Sequence, residues 1–303
     1  MKTLVNYIQE RLVINKYYKN PYTCAPKSFE ELRKIIKDRY NKLGAGTKQK
    51  PINFNDVDVS NINSFFDDDN GILMFEGTKF EYIDISNWDV SNVENMGAMF
   101  QGCEQLKSIG DISNWNVSKV KDMNAMFYIC HNLTSIGDLS NWNVSNVEDI
   151  GYMFFGCEQL KSVGDISDWD VSKVKRTNFM FYSCRQLKSI GDLSDWDVSK
   201  VEDMSYMFFE CEQLKSVGDL SKLNVLKVED MTSMFESCKQ LTSVGDISNW
   251  TLPKVKIISR MFYGCTQLKS VGDLSNWDVS NIKYMNNTFK ESGITNIPKW
   301  YKK

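Results

Sequence analysis

Seven cysteines, Cys103, Cys130, Cys157, Cys184, Cys211, Cys238 and Cys265, follow one another at intervals of 27 residues. Thiols repeated this way could pair as disulfides or hold a soft metal, because equivalent residues of stacked strands lie about 5 Å apart. Against both stand the odd number in the row, the absence of any C-x-x-C pair, and a single histidine in the whole chain. Buried free thiols are the expectation, each filling one slot per repeat as a small hydrophobe. Cys130 beside His131 resembles a nucleophile and its base, but sequence neighbours diverge by about 100° on a helix or point to opposite faces of a strand. No dyad forms locally, and His131 fills a slot that other copies give to Glu104, Glu158, Arg185, Glu212, Lys239 and Thr266.

A second row, Asp111, Asp138, Asp165, Asp192, Asp219, Asp246 and Asp273, would stack like charges, which costs energy unless each carboxylate accepts backbone N–H bonds or shares a cation. Turn capping is the main reading, with calcium a minor one. Trp88, Trp115, Trp142, Trp169, Trp196, Trp250 and Trp277 share the period and could form a sugar-stacking platform. Leu223 occupies the one remaining Trp slot, which keeps apolar volume but loses the aromatic face. A core position tolerates that exchange and a stacking platform does not, so the tryptophans are expected inside.

What positions all these residues is one unit, L-K-S-[IV]-G-D-[IL]-S-N-W-D-V-S-x-V-x-D-M-x-x-M-F-x-x-C-x-x, present in about eight copies. Self-similarity at this period marks a solenoid, in which each coil buries its neighbours. Leu106, Ile109 and Ile112 predict a short strand that repeats in parallel from coil to coil, closed by a turn at Ser113-Asn114. Val120, Met123, Met126, Phe127 and Cys130 share the spacing of a helix face, so the opposite side is expected to be α-helical or 3₁₀, with an extended start at Val117 and Val120 as the alternative. The fold class is therefore α/β, a leucine-rich-repeat-like solenoid with one short parallel strand per repeat.

Both ends of such an array must be closed. Ser28 and Glu31 make a capping-box pattern, and Phe29, Leu32, Ile35, Ile36, Tyr40 and Leu43 form an apolar stripe before Gly44, which predicts an amphipathic helix over 28–43. The expected division is an N-terminal helical cap over 1–50, a degenerate first repeat with an insertion over 51–83, regular repeats over 84–292, and a C-terminal cap over 293–303.

The units DISNWDVSNVENMGAMFQGCEQLKSI and DLSDWDVSKVEDMSYMFFECEQLKSV resemble the BspA-type leucine-rich repeats of bacterial and mycoplasma surface proteins, over roughly residues 56 to 297. The leader ERLVINKYYKNPYTCAPKSFEELRKIIKDRYNKLG is similar to blocks that precede such repeats in crAss-like gut bacteriophages and their Bacteroidales hosts. The resemblance implies an adhesive or recognition role without catalytic apparatus. The opening MKTLVNYIQERLVINK interrupts its apolar residues with Gln9, Glu10 and Arg11, so no signal peptide is expected. The resemblance then implies a virion or cell-surface location if the protein is phage-encoded, and a cytoplasmic one otherwise.

Binding specificity is sought where the copies differ. One position reads Ala98, Ala125, Tyr152, Phe179, Tyr206, Ser233, Arg260; another, three residues on, reads Gln101, Tyr128, Phe155, Tyr182, Phe209, Glu236, Tyr263. Three apart on a helical turn means adjacent, so Tyr128, Tyr152, Phe155, Phe179, Tyr182, Tyr206 and Phe209 should gather on the central coils. Either these rings pack coil on coil or they form an interface core. The 36 basic and 39 acidic side chains are interspersed, which leaves no basic stripe for nucleic acid, and no apolar run is long enough to span a bilayer. The expectation is a non-enzymatic binding protein that needs no cofactor or metal and recognises a protein or a cell-surface glycan on bacteria. An intracellular interaction scaffold is the alternative.

Overall fold

The computed structural model describes residues 22–67 and 69–301. The stretch over which export was judged, and with it the beginning of the expected N-terminal cap, lies outside the described residues. Helix α1 spans Phe29–Leu43; the Ser28 side chain accepts from the Glu31 N–H at its start, and Leu32 and Ile36 are buried against the first coil. Behind it β1 (Ile52–Asn53) pairs in parallel with β4 (Ile83–Asp84), while β2 (Phe66–Asp67) and β3 (Ile72–Leu73) form an antiparallel hairpin inside the insertion.

From there each coil lies on the last in a register of 27 residues. Isolated parallel bridges join Asn95 to Asp122, Asp149, Arg176, Asp203, Asp230, Ile257 and Tyr284 in an unbroken row, and Tyr82 to Ser108 and Ser135 on another edge. Backbone bonds such as Ile112 N to Ile136 O, 3.0 Å, and Leu139 N to Val163 O, 2.9 Å, carry the pairing along the side where strands were expected. Parallel pairing from coil to coil is therefore present, though among the described residues it lengthens into a strand pair only at β1 and β4.

The helical expectation for the other side needs correction. In the coil around Met126 alternate N–H groups donate to the next coil: Met123 to Asp149 O at 3.0 Å, Ala125 to Gly151 O at 3.0 Å, Phe127 to Met153 O at 2.8 Å and Ile129 to Phe155 O at 2.7 Å. Those between them close tight turns within the coil, Tyr128 N to Ala125 O at 3.0 Å and Cys130 N to Phe127 O at 3.1 Å. A helix would turn every N–H inward along its own axis. This segment divides them, which requires a left-handed residue at Ala98, Ala125, Tyr152, Phe179, Tyr206, Ser233, Arg260 and Asn287, with φ between 52° and 59°. The 3₁₀ turns lie on the opposite side, ahead of the tryptophans, at Leu193–Asp195, Leu220–Lys222, Ile247–Asn249 and Leu274–Asn276.

The core is a set of columns running along the array. Phe100, Phe127, Phe154, Phe181, Phe208, Phe235 and Phe262 are fully buried, and their rings stack at 5.3 to 5.8 Å. The repeat tryptophans are buried too, and from Trp142 onward their indole N–H groups donate thirty residues back, as from Trp169 to Leu139 O at 3.0 Å, while Trp88 donates to Phe54 O at 2.9 Å. Trp115 is the exception, its N–H having no partner among the described residues. The cysteines from Cys130 onward are buried and unpaired, each Sγ meeting a carbonyl of the previous coil, as Cys157 does Phe127 O at 3.2 Å. Trp300 ends the Trp column by stacking on Trp277 at 6.2 Å and donating to Leu274 O at 2.7 Å, which closes the C-terminal coil.

The Asp row caps turns. Asp165 accepts from Ser167 N at 3.1 Å, and the same geometry recurs at Asp111, Asp138, Asp192, Asp219, Asp246 and Asp273. The glycine ahead of each Asp follows from stacking: Gly191 has φ 95°, and a Cβ there would collide with Asp165 Oδ1 of the coil below. No side chain fits, so the G-D pair is kept in coil after coil for steric reasons.

Candidate functional site

The residues whose chemistry invited a catalytic reading are occupied structurally. Burial pushes the Cys103 and Cys265 thiols up to about 12, and Cys130, Cys157, Cys184, Cys211 and Cys238 are raised in the same direction for the same reason. A thiol that stays protonated at neutral pH is neither nucleophile nor ligand. His131 Nδ1 lies 3.0 Å from Gly156 O of the next coil. Among the described residues no group of three or more His, Cys, Asp or Glu is arranged to hold a metal ion, and no helix is long and apolar enough to cross a membrane.

All seven candidate aromatic residues come together, for a reason other than the one expected. Tyr152 and Phe155 are neighbours, with ring centroids 6.0 Å apart, because Phe155 N closes a tight turn onto Tyr152 O at 3.0 Å. Coil stacking then sorts the rings into two columns. In the inner one Tyr152 stacks on Phe179 at 4.7 Å and Phe179 on Tyr206 at 4.6 Å. In the outer one Tyr128, Phe155, Tyr182 and Phe209 follow at 4.7, 4.3 and 4.5 Å. Each of the seven is half-buried, whereas the Phe column two residues inward from the inner rings is sealed.

This stacking decides which part of each ring meets solvent. Rings under 5 Å apart cover one another's faces, so the ridge presents ring edges along its length and full faces only at its ends. A left-handed φ at a bulky residue also costs roughly 1–2 kcal/mol, yet Tyr152, Phe179 and Tyr206 occupy such positions at φ 57°, 56° and 56°. The same column accommodates Ala125 before the ridge and Ser233 after it, so the backbone does not demand an aromatic residue there.

The ridge is edged by charge. Beside the inner column run Asp149, Arg176, Asp203 and Asp230, with the Arg176 guanidinium paired to Asp149. Beside the outer column Glu210 accepts from Ser183 Oγ at 2.9 Å and pairs with Arg185 at 2.7 Å; past the last rings Glu236, in the outer slot, pairs with Arg260, in the inner one. Burial, with the Asp203 carboxylate next, pushes the Tyr152 phenol up, and burial with Glu210 does the same at Tyr182. Both phenols therefore stay neutral donors.

The family described as "Mycoplasma protein of unknown function, DUF285" matches residues 45–161, 69–192, 110–215 and 185–300. No curated protein matches the sequence. Two solved structures are similar. A leucine-rich repeat protein from Eubacterium ventriosum is 17% identical, over 81% of this chain and 68% of that one, with a TM-score of 0.42. A leucine-rich repeat protein from Bacteroides ovatus is also 17% identical, over 76% of this chain and 64% of that one, with a TM-score of 0.22.

Proposed function

This chain belongs to the DUF285 family, and from that premise we propose that it is a non-enzymatic binding protein whose aromatic ridge recognises a protein on a bacterial surface. The observation that carries the reading is the ridge itself: seven half-buried rings in two columns, three of them held at left-handed φ where the neighbouring coils manage with Ala or Ser. Aromatic enrichment is the compositional mark of an interface core. The bacterial surface enters through the likeness of the repeats to BspA-type surface proteins, and a phage-encoded origin through that of the leader.

Of the two partner classes, a protein fits better than a glycan. Sugars stack on ring faces, and here most faces are covered by the next ring. Ring edges instead offer a ribbed apolar surface with phenol donors, which suits side chains packed between the ribs. In this reading 1–50 and 293–303 serve as caps, 51–83 as an irregular first repeat, and 84–292 as the array that displays the ridge.

The test is saturable binding of the purified protein to intact gut-bacterial cells, beside a variant carrying Tyr152→Ser, Phe179→Ser and Tyr206→Ser. Binding by the wild type and loss of it in a variant that keeps its circular dichroism supports the reading. Absence of binding by both proteins rejects a surface partner and favours an intracellular scaffold.

A further inference from the structure

The two flanks of the ridge differ in how their charge is balanced. On the outer flank Glu210 has Arg185, and past the last rings Glu236 has Arg260. On the inner flank three carboxylates, Asp149, Asp203 and Asp230, stand in register with one guanidinium, Arg176, which pairs with Asp149. Asp203 and Asp230 are bridge partners on successive coils, and neither has an ion-pair partner among the described residues. Each accepts a backbone N–H, from Ser205 at 2.8 Å and from Thr232 at 2.7 Å, which fixes its carboxylate beside the ridge without neutralising it.

A second observation points into the same flank. Asn178, 8% exposed, directs its side-chain oxygen over the Gly151 backbone, and that oxygen has no hydrogen-bond partner among the described residues. A Cβ added to Gly151 would lie 2.9 Å from that oxygen, 3.1 Å from Asp149 Oδ1 and 3.2 Å from Asn124 Nδ2. Two oxygens and an amide nitrogen therefore converge closely over the Gly151 backbone, next in the chain to Tyr152. A buried carbonyl oxygen left unpaired is costly, and a donor that reached it would recover that cost.

We propose that the ridge takes a polypeptide segment that sets apolar side chains against the ring edges and a lysine or arginine against the Asp149–Asp230 row, with one N–H of that cation reaching Asn178 Oδ1. This rests on the reading of the ridge as a protein-binding surface. The chemistry of the rings makes the two halves of the contact agree. Ring edges carry the positive end of the aromatic quadrupole, so a cationic head avoids them and moves on to the carboxylates, while its methylene stem lies along the edges. An anionic segment would meet repulsion from the row, and a neutral one would leave both Asp203 and Asn178 unanswered.

The experiment is selection of short peptides from a displayed random library on the full chain, followed by fluorescence anisotropy of the strongest peptide with the wild type and three variants. Selected peptides should carry Lys or Arg beside apolar residues, and replacing that residue by norleucine should weaken binding. The pair Asp203→Asn with Asp230→Asn should weaken the Kd about tenfold or more. Asn178→Ala should weaken it severalfold with no fall in Tm, because a merely structural asparagine would lower Tm instead. Peptides without basic residues, or a Kd unmoved by the Asp pair but abolished by the triple Ser variant, would overturn this inference and leave the ridge reading standing. Basic peptides indifferent to the triple Ser variant, or no enrichment at all, would overturn both.

Discussion

Two aromatic regions run in parallel through this molecule under opposite rules. The Phe100 to Phe262 column is fully buried and keeps its residue type in seven successive coils. The ridge, two residues away along the chain, is half-exposed at its rings, and its slot changes from Ala through Tyr and Phe to Ser and Arg. Stacking is common to both, with centroids at 5.3 Å for Phe100 on Phe127 and 4.3 Å for Phe155 on Tyr182. Stacking therefore does not explain why one column is uniform and the other is not. Burial does: a sealed slot admits one shape, whereas a solvent-facing slot is filled only as far as a local need requires. The seven ridge rings gather on the central coils, whereas the left-handed backbone under the inner column runs through every coil from Ala98 to Asn287 and does not itself call for a ring.

The sharpest way to break that comparison is to truncate one ring of each kind. Phe154→Ala removes a ring with no exposure and opens a cavity between coils, so it should cost about 3–5 kcal/mol in urea or thermal unfolding. Tyr152→Ala loses its stacking and half-buried area but keeps the left-handed backbone that Ala125 already adopts one coil earlier, so it should cost about 1 kcal/mol. Equal losses would mean that the ridge is a second core, and the binding proposal would lose its foundation.

Most of the architecture was legible because it is periodic. The 27-residue interval implies stacked coils, and Leu223 in place of a tryptophan marks that row as core, where the structure buries it. The helical side was misread because Met123, Met126 and Cys130 keep intervals of three or four, which a helix and a train of i to i+3 turns share. The distinguishing signal was present. Gly102, Gly156 and Gly264 occupy one slot of that segment in three copies, and Gly156 has φ 72°, a backbone a helix interior does not use. The seven rings were still grouped correctly, since either geometry makes residues three apart neighbours. The Asp203 and Asn178 arrangement was not legible, because it depends on which polar groups stay unpaired after the coils are stacked.

A smaller effect sharpens the account of the Trp column. Leu223 leaves an internal void of about 20 Å³ among Thr177, Leu193, Trp196, Met204 and Met234. Restoring the repeat residue by Leu223→Trp should fill it and place the indole N–H thirty residues from Leu193 O, the partner its neighbours Trp196 and Trp250 use at Ile166 O and Leu220 O. A gain of about 0.5–2 kcal/mol is expected in denaturant unfolding. A loss would show that Thr177 and Leu223 are mutually adapted and that the slot no longer accepts the repeat's ring.

The smallest effect separates two carboxylates, Asp165 and Asp203, by sign. The Ser167 hydroxyl and N–H hold the Asp165 carboxyl below the ordinary carboxylate range, as the matching serines do for Asp246 and Asp273. A depressed folded value contributes stability above the unfolded pKa and loses it as pH falls through the folded one, so these three carboxylates should make the array acid-sensitive. Asp203 runs the other way. Burial raises it, and Asp230 adds to the shift against the Ser205 hydrogen bonds. Its ionised form is therefore disfavoured by folding, and protonation on mild acidification relieves that burden. Asp203→Asn should raise the urea midpoint slightly at neutral pH, and the difference from wild type should shrink as the solution is made mildly acidic. A midpoint lowered at neutral pH would mean that the ionised Asp203 is a structural cap like Asp165. A raised one means the chain keeps an unpaired charge beside the ridge at the expense of its own stability, which is how a position retained for a partner differs from one retained for the fold.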